Sequence, residues 1–462
     1  MTRQAYRLNR RRFLRTLGGT AAAAIAGCAA GRLVAAAAQD DRPNVVLIFT
    51  DDQGYQDLGC FGSPDIATPH VDRMAGAGMT FTDFYVAAPV CSASRAALLT
   101  GCYPIRTGIT GVLFPKNKNG LTHEKKTIAE ILKGRGYTTA CIGKWHLGTG
   151  TETVAGLPDH AEFMPTNRGF DTYYGIPYSN DMKPTPLIRN LETLEEPADQ
   201  ATLTQRYTEE AVRFIRQNKD RPFFLYVPHT MPHIPLAASE RFRGKSKRGL
   251  YGDVIEEIDW STGEILKALS DLGLDEKTLV IYTSDNGPWL SKGKHGGCAK
   301  PLRDGKFTTW EGGFRMPCVM RWTGRIPAGK VCDEPTLTMD LAPTIAALAG
   351  ADLPDGYEMD GASILPLMEG RPGARTPHEA FFYYRGNRLE AVRSGKWKLI
   401  LYQGAEKGEP GQPLELYDLR ADIGETTDVA KDHPDVVTRL TGLATEGVKR
   451  VGGRLGKGVK KK

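Results

Sequence analysis

Cysteine is scarce in this chain, with eight among 462 residues. That density excludes a small disulfide-stapled scaffold and leaves stability to a packed core. No apolar run beyond residue 40 approaches the ~20 residues that span a bilayer, and no internal repeat points to a stacked solenoid. Basic charge is missing where a nucleic-acid binder would need it. The formal net charge is +6, but residues 1–38 hold seven arginines and no acid, and residues 449–462 hold seven basic residues and no acid. Between them, residues 39–448 carry 46 basic against 54 acidic residues, a net of −8. A mildly acidic body excludes the basic footprint of nucleic-acid recognition. With 40% apolar and 25% charged residues, the composition is that of an ordinary globular protein.

The N-terminal arginines read as an address. Arg10-Arg11-Arg12-Phe13-Leu14-Arg15 has the twin-arginine arrangement, and a weakly apolar Ala/Gly-rich stretch follows from Gly18 to Gly27. Ile25-Ala26-Gly27-Cys28 resembles a lipobox that would make Cys28 a lipidated terminus, whereas Ala36-Ala37-Ala38 offers an ordinary cleavage site. Residues 1–38 are therefore expected to direct export to the periplasm or cell surface. Any membrane attachment would come only through a lipid on Cys28.

The body reads as α/β. Val45–Phe49, Phe223–Val227 and Leu279–Tyr282 are short continuous apolar runs, the pattern of strands buried on both faces. Polar residues follow each run closely: Asp51-Asp52, His229 to His233, and Asp285-Asn286. Carboxyl ends of such strands are where open α/β sheets bind ligands. Helical stretches are expected at Glu124–Arg135, Gln205–Asn218 and Gly252–Ser270. The expected organisation is a catalytic domain over 39–364, a small α+β unit over 365–448 with strand-like pieces at Ala380–Tyr384, Glu390–Arg393 and Trp397–Tyr402, and a flexible basic tail over 449–462.

Several segments carry groups capable of chemistry. Asp51-Asp52 alone is usually a solvated turn or cap, and Asp285-Asn286-Gly287 is turn-like. Together they bring three carboxylates and an amide to two strand ends, a hard-oxygen set that suits Ca²⁺ or Mg²⁺. Cys91-Ser92-Ala93-Ser94-Arg95 opens a helical run. There the thiol is either a buried packing group or an activated nucleophile, and an anion would bind the free N–H groups. Gly143-Lys144-Trp145-His146 sets an ammonium and an imidazole on one side of an extended segment. His229 and His233 sit in a Pro-rich loop whose Pro232 rules out helical metal-ligand spacing. Lys306 lies in a Gly-flanked loop, where a solvent-facing lysine is the plain alternative.

In this order, the segments resemble type I, formylglycine-dependent sulfatases of the arylsulfatase A and N-acetylgalactosamine-6-sulfatase kind, from about Pro43 to about Tyr417. The most specific element is Cys91-x-Ala93-x-Arg95 followed by Leu99-Thr100-Gly101. The resemblance implies an alkaline-phosphatase-like fold, a large mixed central sheet flanked by helices with a small C-terminal subdomain. It also implies hydrolysis of a sulfate ester on a sulfated carbohydrate through a formylglycine gem-diol and a sulfo-enzyme intermediate. Asp51, Asp52, Asp285 and Asn286, with the modified Cys91, would hold one divalent cation, usually calcium. A maturation enzyme would convert Cys91 to formylglycine. Arg95 would hold the diol and His146 would hydrogen-bond it. Lys144, Ser179, His233 and Lys306 would surround the sulfate, with His233 or Lys306 protonating the leaving alcohol.

The chain departs from that pattern in places. Ala93 replaces the commoner proline, Cys102 stands where arginine is usual, Gln56 replaces a glycine, and Asp304 replaces a cysteine of arylsulfatase A. The family disulfide therefore cannot be copied here, and cysteine pairing is left open. Two other functions compete: a phosphomono- or diesterase on the same fold, and a non-catalytic binder of sulfated polysaccharide. Phosphate-selective relatives more often carry Ser or Thr as nucleophile and a second metal centre, and no second His/Asp cluster is visible. The intact set of Asp, Cys, Arg, Lys and His argues against a degenerate site.

Overall fold

The computed structural model describes residues 42–148, 161–353, 356–401 and 414–455. The export segment, Cys28 and the last seven residues lie outside this range. β1 (Asn44–Thr50) is buried along its whole length and pairs in parallel with two strands distant in sequence. Its partners become β7 and β8 in chain order. Ahead of them come β2 (Met79–Tyr85), β3 (Thr138–Ile142), β4 (Thr172–Gly175), β5 (Leu187–Arg189) and β6 (Glu192–Glu195), then β7 (Phe223–Pro228) and β8 (Thr278–Ser284) themselves. β9 (Arg315–Arg321), β10 (Lys330–Cys332) and β11 (Thr336–Leu337) complete the sheet, whose order is β10-β2-β9-β8-β1-β7-β3-β4-β5-β6, with β11 beside β2. β9 runs antiparallel to both β8 and β2, and β5 and β6 are antiparallel too, so the large sheet is mixed.

Both faces are covered, which explains the uninterrupted apolar runs. Val45, Leu47 and Phe49 of β1 pack with the helices Cys91–Thr100, Ile128–Lys133 and Leu341–Leu348. Val46 and Ile48 point the other way, against Pro69–Gly76, Leu203–Gln217 and Leu250–Asp271. The two-residue alternation of a strand thus divides the core into two layers.

A second, mostly antiparallel sheet follows: β12 (Phe381–Arg385), β13 (Arg388–Ser394), β14 (Trp397–Ile400) and β15 (Glu415–Asp418), in that order. The short β16 (Arg454–Leu455) adds in parallel to β13, and helix Pro434–Val451 packs against the sheet. The basic stretch expected to be a flexible tail from residue 449 is therefore ordered through Leu455. Its first three residues extend the helix and the next pieces find a backbone partner.

Beneath the small sheet runs a buried ionic network. Lys398 Nζ meets Glu311 at 3.0 Å and Glu425 at 2.7 Å, all with side chains sealed from solvent, and donates to the Thr309 carbonyl at 2.8 Å. Arg393 reaches Asp83 at 2.9 Å, and Tyr85 and Tyr383 donate to Glu311 at 2.6 and 2.8 Å. Each buried charge is thereby paired, without which its desolvation would be strongly unfavourable.

Candidate active site

Strand ends of the large sheet converge at one place. Asp51 and Asp52 leave β1, Asp285 and Asn286 leave β8, His233 lies in the loop after β7, and Lys144 and His146 follow β3. Cys91 is the first residue of its helix, which has no side-chain N-cap. The helix start therefore presents free N–H groups and the positive end of its dipole to an anion.

The β3 segment is placed by backbone contact. Gly143, Trp145 and His146 donate their N–H groups to Tyr174, Ile176 and Pro177, and Lys144 donates to Pro228. This approach needs glycine on both sides: a Cβ on Gly175 would lie 1.8 Å from the Gly143 oxygen, and one on Gly143 would lie 1.9 Å from the Pro228 oxygen. Asp52 (φ 64°) and His146 (φ 59°) occupy left-handed backbone, the kind of strain that collects at functional sites.

All eleven sequence-predicted residues meet here. Arg95 bridges Asp285 at 2.8 Å and Asp51 at 3.2 Å. Lys144 is ion-paired with Asp51 and donates to Ser179 Oγ at 3.2 Å. Lys306 Nζ lies 2.6 Å from Asp52 and 3.5 Å from Cys91 Sγ. His233 Nε2 is 3.6 Å from Asp52, and the Asn286 amide donates to Asp52 at 2.7 Å. Arg95, expected to hold the nucleophile, bonds the two carboxylates and the Lys144 carbonyl, so it fixes the acidic floor of the site.

The electrostatics follow from burial opposed by close charge. Burial raises the Asp51 pKa, but Lys144, Arg95, His233 and Lys306 together bring it well below the carboxylate range. Burial disfavours the Lys306 ammonium, yet Asp52, Cys91 and Asp51 hold its pKa above the usual lysine value. The Cys91 thiol is pushed up to about 12 by burial, with Asp51 and Asp285 adding to the shift against Lys144 and Lys306. Burial thus outweighs the nearby cations and holds the free thiol toward its protonated form. His146 is driven well below its usual value, by burial first and then by Lys144 and Arg95.

The two histidines are oriented differently. His146 Nε2 lies 2.8 Å from the Leu113 carbonyl, which only accepts, so Nε2 carries the proton and Nδ1 keeps a lone pair. That Nδ1 is buried without a hydrogen-bond partner. His233 Nδ1 faces the Ile234 carbonyl at 2.6 Å and Asn180 Oδ1 at 3.1 Å, which directs Nε2 into the site.

Ligand atoms of Asp51, Asp52, Cys91 and His233 lie within 4.8 Å of one another, and Asn286 Oδ1 is buried with no hydrogen-bond partner. An unpartnered amide oxygen beside three carboxylates fits a hard divalent cation. The four acidic and amide side chains have the donor chemistry to hold one.

Residues 43–351 match the sulfatase family, and residues 302–444 match the C-terminal region of N-sulphoglucosamine sulphohydrolase. The chain belongs to the sulfatase family. This sulfatase is 40% identical to human arylsulfatase A over 451 residues, covering 87% of each protein. It is also 40% identical to rat N-acetylgalactosamine-6-sulfatase over 436 residues, covering 88% of this chain and 80% of that one. Among solved structures, Ps i-CgsB superposes with a TM-score of 0.76 at 33% identity, covering 88% of this chain and 92% of the other. These likenesses make the protein a sulfuric ester hydrolase of the sulfatase/alkaline-phosphatase-like fold.

Other parts of the sulfatase's site escaped sequence reading. Asn180, which orients His233, had only its adjacency to Ser179 as a signal. Trp289 and Phe307 flank the site with their rings 5.4 Å apart, and Trp289 stands 5.7 Å from His233. His229, in the same Pro-rich loop as His233, lies in the core beside Tyr207, with neither ring nitrogen hydrogen-bonded. Seven cysteines lie among the described residues and none is in a disulfide. Cys102, in the usual arginine position, packs against the carbonyls of Thr100 and Glu358 at 3.5 Å, behind the Cys91 helix.

Proposed function

We propose that this sulfatase removes sulfate from a sulfated carbohydrate, with Cys91 converted to formylglycine by a maturation enzyme and one divalent cation, calcium, held by Asp51, Asp52, Asp285 and Asn286. The observation that carries this reading is Cys91 itself. It is the buried first residue of its helix, with Sγ 3.7 Å from Asp51 and 3.5 Å from Lys306 Nζ, and it opens the Cys91-x-Ala93-x-Arg95 run. Its hydrated aldehyde would supply the attacking hydroxyl and a second hydroxyl whose deprotonation expels sulfate. The cation would add positive charge opposite the sulfate oxygens.

The chain's own residues do the rest. Lys144 and Lys306, both buried, face the anionic group from two sides, where exclusion of water strengthens their pull. Ser179 orients Lys144 and adds a hydroxyl contact. His146, held neutral with its Nδ1 lone pair unpartnered, takes the proton from the second hydroxyl. His233 presents Nε2 toward Asp52 on the side where Lys306 also stands, so one of these two would supply the proton to the leaving oxygen. Relatives point to a carbohydrate: one is named N-acetylgalactosamine-6-sulfatase, and Ps i-CgsB has been solved with k-i-k-neocarrahexaose. The twin-arginine N-terminus supports export to the periplasm or cell surface. Among the described residues no helix is long and apolar enough to cross a membrane.

The test is mass spectrometry of the Cys91 peptide beside sulfate release by the same preparation. An aldehyde or its hydrate at Cys91, and loss of turnover in Cys91→Ala with folding intact, are expected. Turnover by uniformly unmodified thiol would refute the mechanism.

A further inference from the structure

Phe307 is a bulky residue in left-handed backbone (φ 74°), with 39% of its surface exposed at the edge of a buried catalytic site. Neither property helps the fold. A side chain at positive φ is strained, and an exposed aromatic ring loses the benefit of burial. Phe307 is fixed nonetheless. Its N–H donates to the Pro89 carbonyl at 3.0 Å, two residues before Cys91, and Trp289 braces its ring nearly edge-on at 79°. Lys306, its chain neighbour, touches Cys91 Sγ at 3.5 Å. The centre of the Phe307 ring is itself 5.4 Å from Lys306 Nζ, within reach of a ring whose sulfate meets that ammonium.

Beyond Trp289 the rim turns basic. Lys292 is exposed and stands 4.2 Å from the centre of the Trp289 ring, in a turn that also contains Lys294 and His295. Leu290, 42% exposed, adds a second apolar surface in the same turn. An apolar platform beside an unburied ammonium suits a molecule with one apolar face and more than one negative group.

We infer that Phe307 is a stacking platform for the pyranose ring bearing the scissile sulfate, and that Lys292 receives a second anionic substituent, a sulfate or carboxylate, on the same saccharide. This rests on the sulfatase reading above and narrows its substrate class to polyanionic saccharides. The face of a pyranose carries C–H groups with partial positive charge, which complement the negative face of an aromatic ring. Backbone strain held at a ligand clamp is the arrangement found where recognition, not stability, selects the residue.

The decisive variant is Phe307→Gly, which removes the platform and the strain together. Kinetics are measured on mono- and disulfated disaccharides from depolymerised chondroitin and heparan sulfates, by released sulfate, with nitrocatechol sulfate as control. On a disaccharide that the wild type hydrolyses, Phe307→Gly is expected to raise KM about tenfold with kcat within about threefold, and Phe307→Tyr to restore KM. Thermal stability of Phe307→Gly should equal or exceed that of the wild type, a combination that a purely structural role would not give. Lys292→Ala should raise KM about fivefold for disulfated disaccharides and leave monosulfated ones unchanged. An unchanged KM in Phe307→Gly overturns the platform. So does a wild type that cleaves nitrocatechol sulfate but none of the disaccharides, and in both cases the sulfatase reading stands. Failure on both nitrocatechol sulfate and every disaccharide by enzyme with fully converted Cys91 would instead overturn that reading, and this inference with it.

Discussion

Gly175→Ala tests whether backbone proximity positions the catalytic lysine and histidine. Gly175 ends β4, and an added Cβ would sit 1.8 Å from the Gly143 oxygen and 2.5 Å from its carbonyl carbon. Side-chain Cβ atoms essentially never approach heavy atoms within 3.0 Å, so the two segments must part by at least about 1.2 Å. The displaced segment includes Lys144 and His146, whose N–H groups and those of their neighbours are tied to Pro228 and to residues around Gly175. Misplacing catalytic groups by about 1 Å costs about 100-fold in rate, or about 2.7 kcal/mol of transition-state stabilisation. Overpacking should cost about 1–3 kcal/mol of stability, which a domain of ordinary stability survives. The assay is kcat/KM on an aryl sulfate, with urea unfolding and the fraction of converted Cys91 measured on the same preparation. Gly111→Ala serves as the control, since a Cβ there meets nothing within 4 Å. Folded, fully converted Gly175→Ala within about threefold of wild-type kcat/KM would refute the reasoning.

Two further outcomes concern buried charge. His229 is sealed from solvent and burial lowers its pKa from 6.5 to about 4. Between those values the unfolded chain binds more protons than the folded one. Its contribution is therefore full above pH 6.5 and is lost as pH falls toward 4, about 3 kcal/mol in all. Urea unfolding of wild type and His229→Leu should show the variant gaining about 3 kcal/mol relative to wild type from pH 7.5 to pH 4, and parallel pH profiles would reject the buried neutral imidazole. In the ionic network, Lys398→Met strands Glu425 and takes one of its partners from Glu311, and should lower stability by about 3–5 kcal/mol in urea unfolding. Adding Glu425→Gln should recover part of that loss, and a single variant as stable as wild type would count against the pairing.

What could be read from sequence tracks how local the cause is. β1, β7 and β8 announced themselves because burial on both faces forces a continuous apolar run. β2 did not, since Thr80, Thr82 and Asp83 interrupt it, nor did β9, whose short apolar run holds Pro317 between the terminal Arg315 and Arg321. The candidate site was legible because several segments each held reactive groups in a family-like order, although nothing local pairs Arg95 with Asp51 and Asp285. Only the resemblance separated His233 from His229, because nothing local shows that one enters the core and the other turns back to the strand ends. Glu311, Lys398 and Glu425 carried no signal of their pairing, since a charge in sequence does not reveal a partner 27 or 87 positions away. The backbone angle that marks Phe307 leaves no trace in composition.

The ionic network beneath the small sheet has a consequence for recombination between sulfatases. The two family matches overlap over 302–351, the stretch containing both Lys306 and Glu311. Lys398 grips that stretch from the second sheet through Thr309 and Glu311. A crossover in the linker before β12 would place Glu311 and its lysine in different parents. Chimeras will keep a working sulfate loop only where the acid and base on either side of the joint were inherited as a matched set.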